Sequence, residues 1–308
     1  MDWRDRPPYV EEVAPGVFAY VQPDGSWMIN NLGFLVGESG RSLLVDASST
    51  ETRTRRFLAE VDTRSTAAPM ALVNTHHHPD HVYGNYLAPS TTPVIAHTAC
   101  REEMLTAGLE ATRVITEPDY GDLRIRTPDI TFDDRLTLHL DEVVVELIHV
   151  GPAHTTNDVV VWLPEQRVLF TGDVAFAGGQ PFLLEGSVPG FARALERLRA
   201  LSPEVVVPGH GPVCRGDDVP VLLDDLSAYV AYVDQVAAVA EAEGMTALQA
   251  AEKHRDNPYA GWAETERFVG NLHRALTERA QGPGVRLRVP DAWPDMVAFH
   301  GGPIGCHA

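Results

Sequence analysis

A run of histidines closely follows an apolar segment early in the chain: His76-His77-His78-Pro79-Asp80-His81. The apolar segment, Met70 to Val73, predicts a short buried strand. On an extended chain His76 and His78 point the same way, and Asp80 and His81 begin a predicted short helix. The run therefore predicts that a strand end in this fold offers imidazoles and a carboxylate to a metal ion.

Three further metal-binding side chains are predicted later in the chain, each just past a strand. His154 comes after Val143 to Val150, Asp173 after Val168 to Phe170, and His210 after Val205 to Val207. Gly or Pro flanks all three, as expected where the backbone turns sharply to aim a side chain.

Taken together, these residues resemble the metallo-β-lactamase superfamily. Residues 76 to 81 match its motif His-x-His-x-Asp-His, and the later His, Asp and His occur in the family's order within about residues 10 to 215. The resemblance implies an α+β fold, a four-layer αβ/βα sandwich with the site at one edge between two sheets. It also implies two metal ions, the first held by His76, His78 and His154, the second by Asp80, His81 and His210, with Asp173 bridging them.

The expected ligands indicate which metals can bind and which branch of the family the sequence resembles. All are nitrogen or oxygen donors, so two zinc ions are expected and iron or manganese remains open. The prototype β-lactamases place a Cys near the Asp173 position and lack the His found here at His81. The pattern is therefore nearer to lactonases, thioesterases and glyoxalase II. Asp46 is expected to lie behind the metals, where it would orient one of the metal-binding side chains.

The function that this resemblance implies is metal-dependent hydrolysis. A hydroxide bridging the two metals is expected to attack the carbonyl of a small-molecule ester, lactone or thioester. Asp80 is expected to act as a catalytic residue as well, by steering the proton of the attacking water.

Two alternatives stay open. β-Lactam hydrolysis is one, although no Lys or Arg between Asp173 and Phe191 is available to hold a substrate carboxylate. A mononuclear iron oxidoreductase of the same fold is the other, but the complete second ligand set favours hydrolysis.

Charge and composition exclude other classes. The count of 24 basic against 43 acidic residues gives a net charge of −19, which argues against nucleic acid and anionic membranes as partners. Three well-separated cysteines predict no disulfide framework. With no apolar run of about 18 residues and no secretory signal in view, a cytoplasmic protein with a small-molecule substrate is expected.

The organisation predicted is a catalytic core over residues 10–215 and a helical C-terminal extension over 216–308, both in one domain. Helices are expected over Val221 to Glu243 and Ala263 to Ala280, where they would shape the pocket or form a homodimer interface. No element is predicted in the Gly- and Pro-rich tail from Gly282. Its last segment, Phe299 to His307, would be disordered or packed, or would cover the site or a dimer partner.

The sequence also allows predictions for several other residues near the motifs. Trp27-Met28-Ile29 is either an apolar flap over the cleft or a core strand, while Phe176 and Phe182 are expected to line the pocket. His77 lies between two expected ligands and is predicted to point away from the metals.

Overall fold

The computed structural model describes residues 6–308, and a seven-stranded sheet forms its first half. The strands lie side by side in chain order, antiparallel from β1 to β4 and parallel from β4 to β7. Their bounds are β1 (Tyr9–Ala14), β2 (Val17–Val21), β3 (Leu32–Val36), β4 (Ser42–Val45), β5 (Ala71–Val73), β6 (Val94–His97) and β7 (Ile130–Phe132).

A second sheet of six strands has the order β13-β12-β11-β10-β9-β8. Only β11 and β12 are parallel; the other neighbours are antiparallel. The bounds are β8 (Arg135–Leu140), β9 (Val143–His149), β10 (Val159–Leu163), β11 (Val168–Phe176), β12 (Val205–His210) and β13 (Cys214–Arg215). Strands β10 and β11 are buried along their whole length, which explains the unbroken apolar sequence of β10 and the apolar residues on either side of Thr171-Gly-Asp173 in β11.

Eight α-helices accompany the sheets in the described part of the chain. They are α1 (Glu51–Asp62), α2 (Pro79–Val82), α3 (Thr98–Ala107), α4 (Val188–Leu201), α5 (Asp218–Glu243), α6 (Ala247–Lys253), α7 (Arg267–Gln281) and α8 (Val289–His300). Ser187 caps α4 by accepting from Gly190 N, and Thr246 caps α6 by accepting from Gln249 N. Within residues 6–308, none of these helices is long and apolar enough to span a membrane.

Three apolar clusters show how the layers stack. Val45 of the first sheet and Phe170 of the second share the cluster between the sheets. Phe57 of α1 covers the outer face of the first sheet, and Leu226 of α5 belongs to the cluster on the outer face of the second. Helix, sheet, sheet and helix therefore form four layers, which confirms the predicted fold class.

The prediction that Asp173 and His210 lie past their strands is wrong. Strand β11 continues through Asp173 because it bulges at Gly172, where φ is 49°, and stays paired with β12. His210 is the last residue of β12 and pairs with Phe176.

The tail also forms an element that the sequence did not predict. Residues 289–300 make helix α8, in which Pro290 occupies the first turn, where a backbone N–H has no intrahelical acceptor. Met296 and Phe299 of this helix are buried in the large cluster that covers the second sheet. Tertiary packing therefore outweighs the Gly- and Pro-rich composition.

Trp27 and Met28 do not form the core strand that was one of the two expectations for this segment. They occupy an irregular turn between β2 and β3, and both side chains are buried.

Candidate metal centre

The predicted ligands converge at one edge of the sandwich, where strands from both sheets end. His76 and His78 follow β5, whereas Asp173 and His210 lie in β11 and β12. His154 comes from the loop between β9 and β10. A Cβ at Gly209 would collide with the Asp173 carboxylate, so the glycine of Pro208-Gly-His210 allows the two strands to bring their side chains together.

The first group of side chains consists of His76, His78, His154 and Asp173, whose potential ligand atoms all lie within 4.8 Å of one another. His154 Nε2 is 2.7 Å from His78 Nδ1 and 3.3 Å from Asp173 Oδ2. His76 Nε2 is 4.0 Å from the same carboxylate oxygen. Three imidazoles and one carboxylate oxygen therefore face a common point.

The second group consists of Asp80, His81, Asp173 and His210, within the same 4.8 Å limit. His81 Nε2 is 3.1 Å from Asp173 Oδ1, and His210 Nε2 is 3.2 Å from Asp173 Oδ2. Asp80 Oδ2 lies 3.5 Å from His210 Nε2. The structure thus brings all seven predicted side chains together, and Asp173 belongs to both groups.

Unpaired polar atoms show that these groups fit metal ions. His76 Nε2, His81 Nε2 and Asp173 Oδ1 are buried and have no hydrogen-bond partner among the described residues. Buried polar atoms are almost always paired, so unpaired atoms that face one another need an explanation. Imidazole nitrogens and carboxylate oxygens are the donors that zinc, iron and manganese accept.

The electrostatics of His76 and Asp173 match this interpretation. Burial, followed by neighbouring histidines, lowers the pKa of His76 well below its usual value, which keeps the imidazole in its neutral, metal-binding form. Burial opposes ionisation of Asp173, but His210, His81 and His154 outweigh it and hold the pKa of that carboxyl well below its usual range. The shared carboxylate is therefore ionised.

Other contacts fix the orientation of the imidazoles. Asp46 Oδ2 lies 2.7 Å from His81 Nδ1, as expected for this aspartate, and the carbonyl oxygen of Phe182 contacts His154 Nδ1. Each contact leaves the other ring nitrogen, Nε2, directed at the ligand groups.

Glu185 is a site residue that sequence reasoning missed. Its Oε2 lies 3.1 Å from His77 Nε2 and 3.5 Å from His78 Nε2, and its Oε1 accepts from Val289 N at 3.2 Å. His77 thus lies outside both groups but touches the site through Glu185. The irregular segment around Glu185 carries no motif, so the sequence offered no signal for this contact.

An open cleft lies over the ligand groups. Trp27 and Met28 line it, and so do Phe176 and Phe182, as predicted. One wall is apolar and consists of side chains from α2, α3 and the segments after them: Val82, Tyr83, Met104, Ala111, Val114, Ile115 and Ile125. The C-terminal segments contribute Arg267, Arg288, Val289 and Pro290.

Comparison with known protein families shows which family shares this sequence pattern. The sequence model of the metallo-beta-lactamase superfamily matches residues 26–210, which span the turn of Trp27 and every ligand of the two groups. The chain belongs to this superfamily. It is therefore a member of a group whose relatives are mostly metal-dependent hydrolases, and its His and Asp groups are sites for divalent metal ions.

Relatives within the metallo-beta-lactamase superfamily carry different names. Metallo-beta-lactamase type 2 of Bacteroides fragilis is 24% identical over 66% of this chain and 78% of the relative. Hydroxyacylglutathione hydrolase of Methylococcus capsulatus is 32% identical over 44% of this chain and 45% of the relative. Linear primary-alkylsulfatase of a Pseudomonas species is 24% identical over 78% of this chain and 53% of the relative. The chain thus spans about half the length of the latter two.

Solved structures of the superfamily show the same fold. The crystal structure of DIM-1 metallo-beta-lactamase has a TM-score of 0.57 at 19% identity and covers 74% of this chain and 98% of that protein. The metallo-beta-lactamase from Pontibacter korlensis has a TM-score of 0.59 at 20% identity, covering 72% and 98%. At these identities the likeness concerns the fold alone.

Proposed function

We propose that this chain is a dinuclear metal-dependent hydrolase that acts on a small-molecule ester, lactone or thioester. The observation that carries the proposal is the pair of side-chain groups at the floor of one cleft, which share Asp173. A set of three histidines on one side and two histidines with an aspartate on the other can hold two ions at once. Relatives named hydroxyacylglutathione hydrolase and metallo-beta-lactamase support hydrolysis.

The ligand assignment follows the geometry of the two groups. His76, His78 and His154 would hold one ion, Asp80, His81 and His210 the other, and Asp173 would contact both. Divalent ions bound there, zinc in our proposal, would lower the pKa of a bound water toward neutrality and polarise a substrate carbonyl.

The chain's own residues have further roles in the proposed reaction. Asp80 lines the cleft, is 7% exposed and has a carboxylate oxygen near His81 and His210. We assign it the steering of the attacking water's proton, because its carboxylate belongs to the second group and also faces the cleft. Asp46 and Glu185 act as positioning residues that hold His81, His77 and His78.

The apolar wall of the cleft limits the kind of substrate. Met104, Val114 and Ile115 offer no charged group, so this wall suits the hydrocarbon part of an acyl or alcohol group. A substrate packed there has its carbonyl beside the ligand groups and displaces water from the cleft. We therefore propose a substrate with an apolar body rather than a small, fully polar one.

A hydrolysis panel tests the proposal. An aryl ester, a lactone, a thioester and a chromogenic cephalosporin are incubated with zinc-loaded and with chelator-stripped protein. We expect turnover of an ester, lactone or thioester that disappears on stripping and returns with zinc. The variant H81A is expected to lose turnover, whereas H139A, at an exposed strand position, keeps it. Turnover of the cephalosporin alone, or turnover that survives stripping, would contradict the proposal.

A further inference from the structure

The last residues of the chain lie beside the turn that brings Trp27 into the wall of the cleft. Residues 304–308 are called the C-terminal strap below, and residues 24–29 the Trp27 turn. Ile304 and Cys306 of the strap are buried, and they belong to the same apolar cluster as Trp27 and Met28 of the turn. Because Trp27 and Met28 line the cleft, the strap packs against the outer side of a cleft wall.

Three hydrogen bonds connect the strap to this part of the molecule. The Sγ atom of Cys306 donates to the carbonyl oxygen of Trp27 at 2.9 Å. Nδ1 of His307 lies 2.7 Å from Oδ2 of Asp24. Arg53 of α1 donates from Nη2 to the carbonyl oxygen of His307 at 2.8 Å. The strap therefore contacts the Trp27 turn at two points and is itself tied to the first sheet's helix.

The backbone of the Trp27 turn needs such contacts from outside. Asp24 has a φ of 84° and Met28 a φ of 69°, and neither residue is a glycine. A side chain in this left-handed region costs free energy, so the conformation persists only where the surroundings hold it. The turn is therefore not stable in this form by its own sequence.

The core of the sandwich anchors the end of the turn. The Oγ atom of Ser49 donates to the carbonyl oxygen of Met28 at 2.7 Å. Directly after the turn, Asn31 N donates to the carbonyl oxygen of Gly209 at 2.7 Å, one residue before the ligand His210. The end of the turn is thus fixed independently of the strap.

The start of the turn depends on C-terminal residues instead. Within residues 6–308, the hydrogen bonds that Asp24 and Trp27 make with other segments run to Glu266, Cys306 and His307. The bond from Trp27 Nε1 to Glu266 Oε1 is 2.6 Å long. Loss of the strap would leave Asp24 without any of these contacts and Trp27 with only the one to Glu266.

The Trp27 ring connects the turn to the site. It packs edge-on against Phe182, with ring centres 5.1 Å apart, and against Trp293 of α8, with centres 5.4 Å apart. Phe182 lines the cleft, and its carbonyl oxygen contacts Nδ1 of His154. A displacement of Trp27 would therefore change the shape of the cleft wall beside the first ligand group.

We propose that the C-terminal strap positions the Trp27 turn, so that Cys306 and His307 act through Trp27 on the binding of the apolar part of a substrate. Neither residue forms a hydrogen bond or ion pair with an expected metal ligand, so metal binding does not depend on the strap. The positioning of the turn is independent of any reaction, whereas its effect on a substrate rests on the proposed function.

Hydrogen exchange followed by NMR tests the positioning directly. The reporter is the amide of Ile29, which donates within the turn at 3.1 Å, and the reference is the amide of Asn31. The variant C306V/H307A removes both contacts of the strap with the turn. We expect Ile29 to exchange about 5- to 30-fold faster in this variant, and Asn31 to exchange as in the wild type. Exchange of Ile29 at the wild-type rate would overturn the proposal.

Three further variants separate positioning from general loss of structure. C306S keeps a donor at this position, so it is expected to exchange like the wild type, whereas C306V does not. H300A, at the exposed end of α8, is the tail control and is expected to change neither amide. H307A alone changes a mostly exposed side chain and tests the proposal if C306V/H307A does not fold. We expect it to raise exchange at Ile29 about 2- to 5-fold. An unchanged rate in H307A, or equal rates in C306S and C306V, would count against the strap.

Kinetics with 4-nitrophenyl butanoate and zinc-loaded protein test the effect on a substrate. We expect C306V/H307A to raise KM about 3- to 10-fold, with kcat within about 2-fold of the wild type and an unchanged zinc content. A lower kcat at unchanged KM, or a loss of zinc, would contradict a role in positioning the cleft wall. If the wild type does not hydrolyse any ester, only the proposed reaction fails, and hydrogen exchange at Ile29 still decides whether the strap holds the turn.

Discussion

Oδ2 of Asp46 lies 2.7 Å from Nδ1 of His81, and both side chains are buried. Burial opposes the charged form of His81, but the carboxylates of Asp173, Asp46 and Asp80 outweigh it and raise the pKa of His81 well above its usual value. Asp46 also accepts from the backbone N–H and the hydroxyl of Thr75, at 2.7 Å each. One carboxylate thus ties the end of β4 to the first residues after β5 and fixes the His81 ring.

Removal of the Asp46 carboxylate is expected to weaken metal binding. D46A frees the His81 ring to rotate, so we expect the affinity for zinc at the second group to fall about 10- to 100-fold. The measurement is competition for zinc against a chromophoric chelator. The control is D141A, an aspartate that also has a positive φ but lies in a distant turn. An unchanged zinc affinity in D46A would show that Asp46 does not position His81 for metal binding.

Glu185 connects the first ligand group to the C-terminal helix. E185A removes its contacts with His77 and His78 and leaves Val289 N without its acceptor. We expect a loss of about 1–3 kcal/mol in the free energy of unfolding, measured by denaturant titration, because several buried donors lose their partner. Proteolysis within α8 is expected to become faster as well. A variant as stable as the wild type would show that Glu185 does not hold this segment.

Asp158 predicts a specific pH dependence of stability. Its carboxylate accepts from Ala153 N and from Thr155 N and Oγ1 in the His154 loop, yet burial raises its pKa from 3.8 to about 6. Between pH 3.8 and pH 6, Asp158 binds more protons in the native state than in the unfolded state. The contribution of this group to stability therefore falls as the pH rises.

The variant D158N isolates this effect. Asparagine does not ionise, so the stability of D158N relative to the wild type is expected to rise by ~2 kcal/mol between pH 4 and pH 7. Denaturant unfolding at both pH values measures the change, with the exposed D122N as control. A difference between D158N and wild type that stays constant with pH would contradict the assignment.

The C-terminal helices are expected to be part of the same folding unit as the core, as the sequence predicted for residues 216–308. Leu169 of β11 and Leu226 of α5 are buried in one apolar cluster. Truncation after residue 215 would expose this face of the second sheet to water, so we expect an insoluble or unfolded product. A soluble, cooperatively unfolding fragment 1–215 would instead indicate two separate domains.

The expected ligands and the strands that precede them could be predicted because their signals are local. His76 to His81 form a compact motif after an apolar strand, and the buried strand β10 has a continuous apolar sequence. The caps Ser187 and Thr246 likewise depend on residues three positions apart. Patterns of this kind are set by backbone hydrogen bonding and by burial, and both constrain the residue types within a short segment.

The rest of the site depends on contacts between distant segments. Glu185 and Arg267 lie far in sequence from the histidine motif, and they reach the cleft only after α7 and α8 have packed. Helix α8 was missed because its prolines are read as breakers, although Pro290 suits a first turn. In each case tertiary packing determines the structure, and the periodicity of the sequence does not indicate this packing.

The most direct test of the central claim is the metal content of the protein during a zinc titration. Chelator-stripped protein is titrated with zinc while hydrolysis of the best ester, lactone or thioester substrate is followed and bound zinc is counted by mass spectrometry. The account predicts two zinc ions per wild-type chain, turnover that depends on them, and a lower content in H81A. A wild-type protein that binds one ion per chain, or that hydrolyses its substrate without metal, would contradict it.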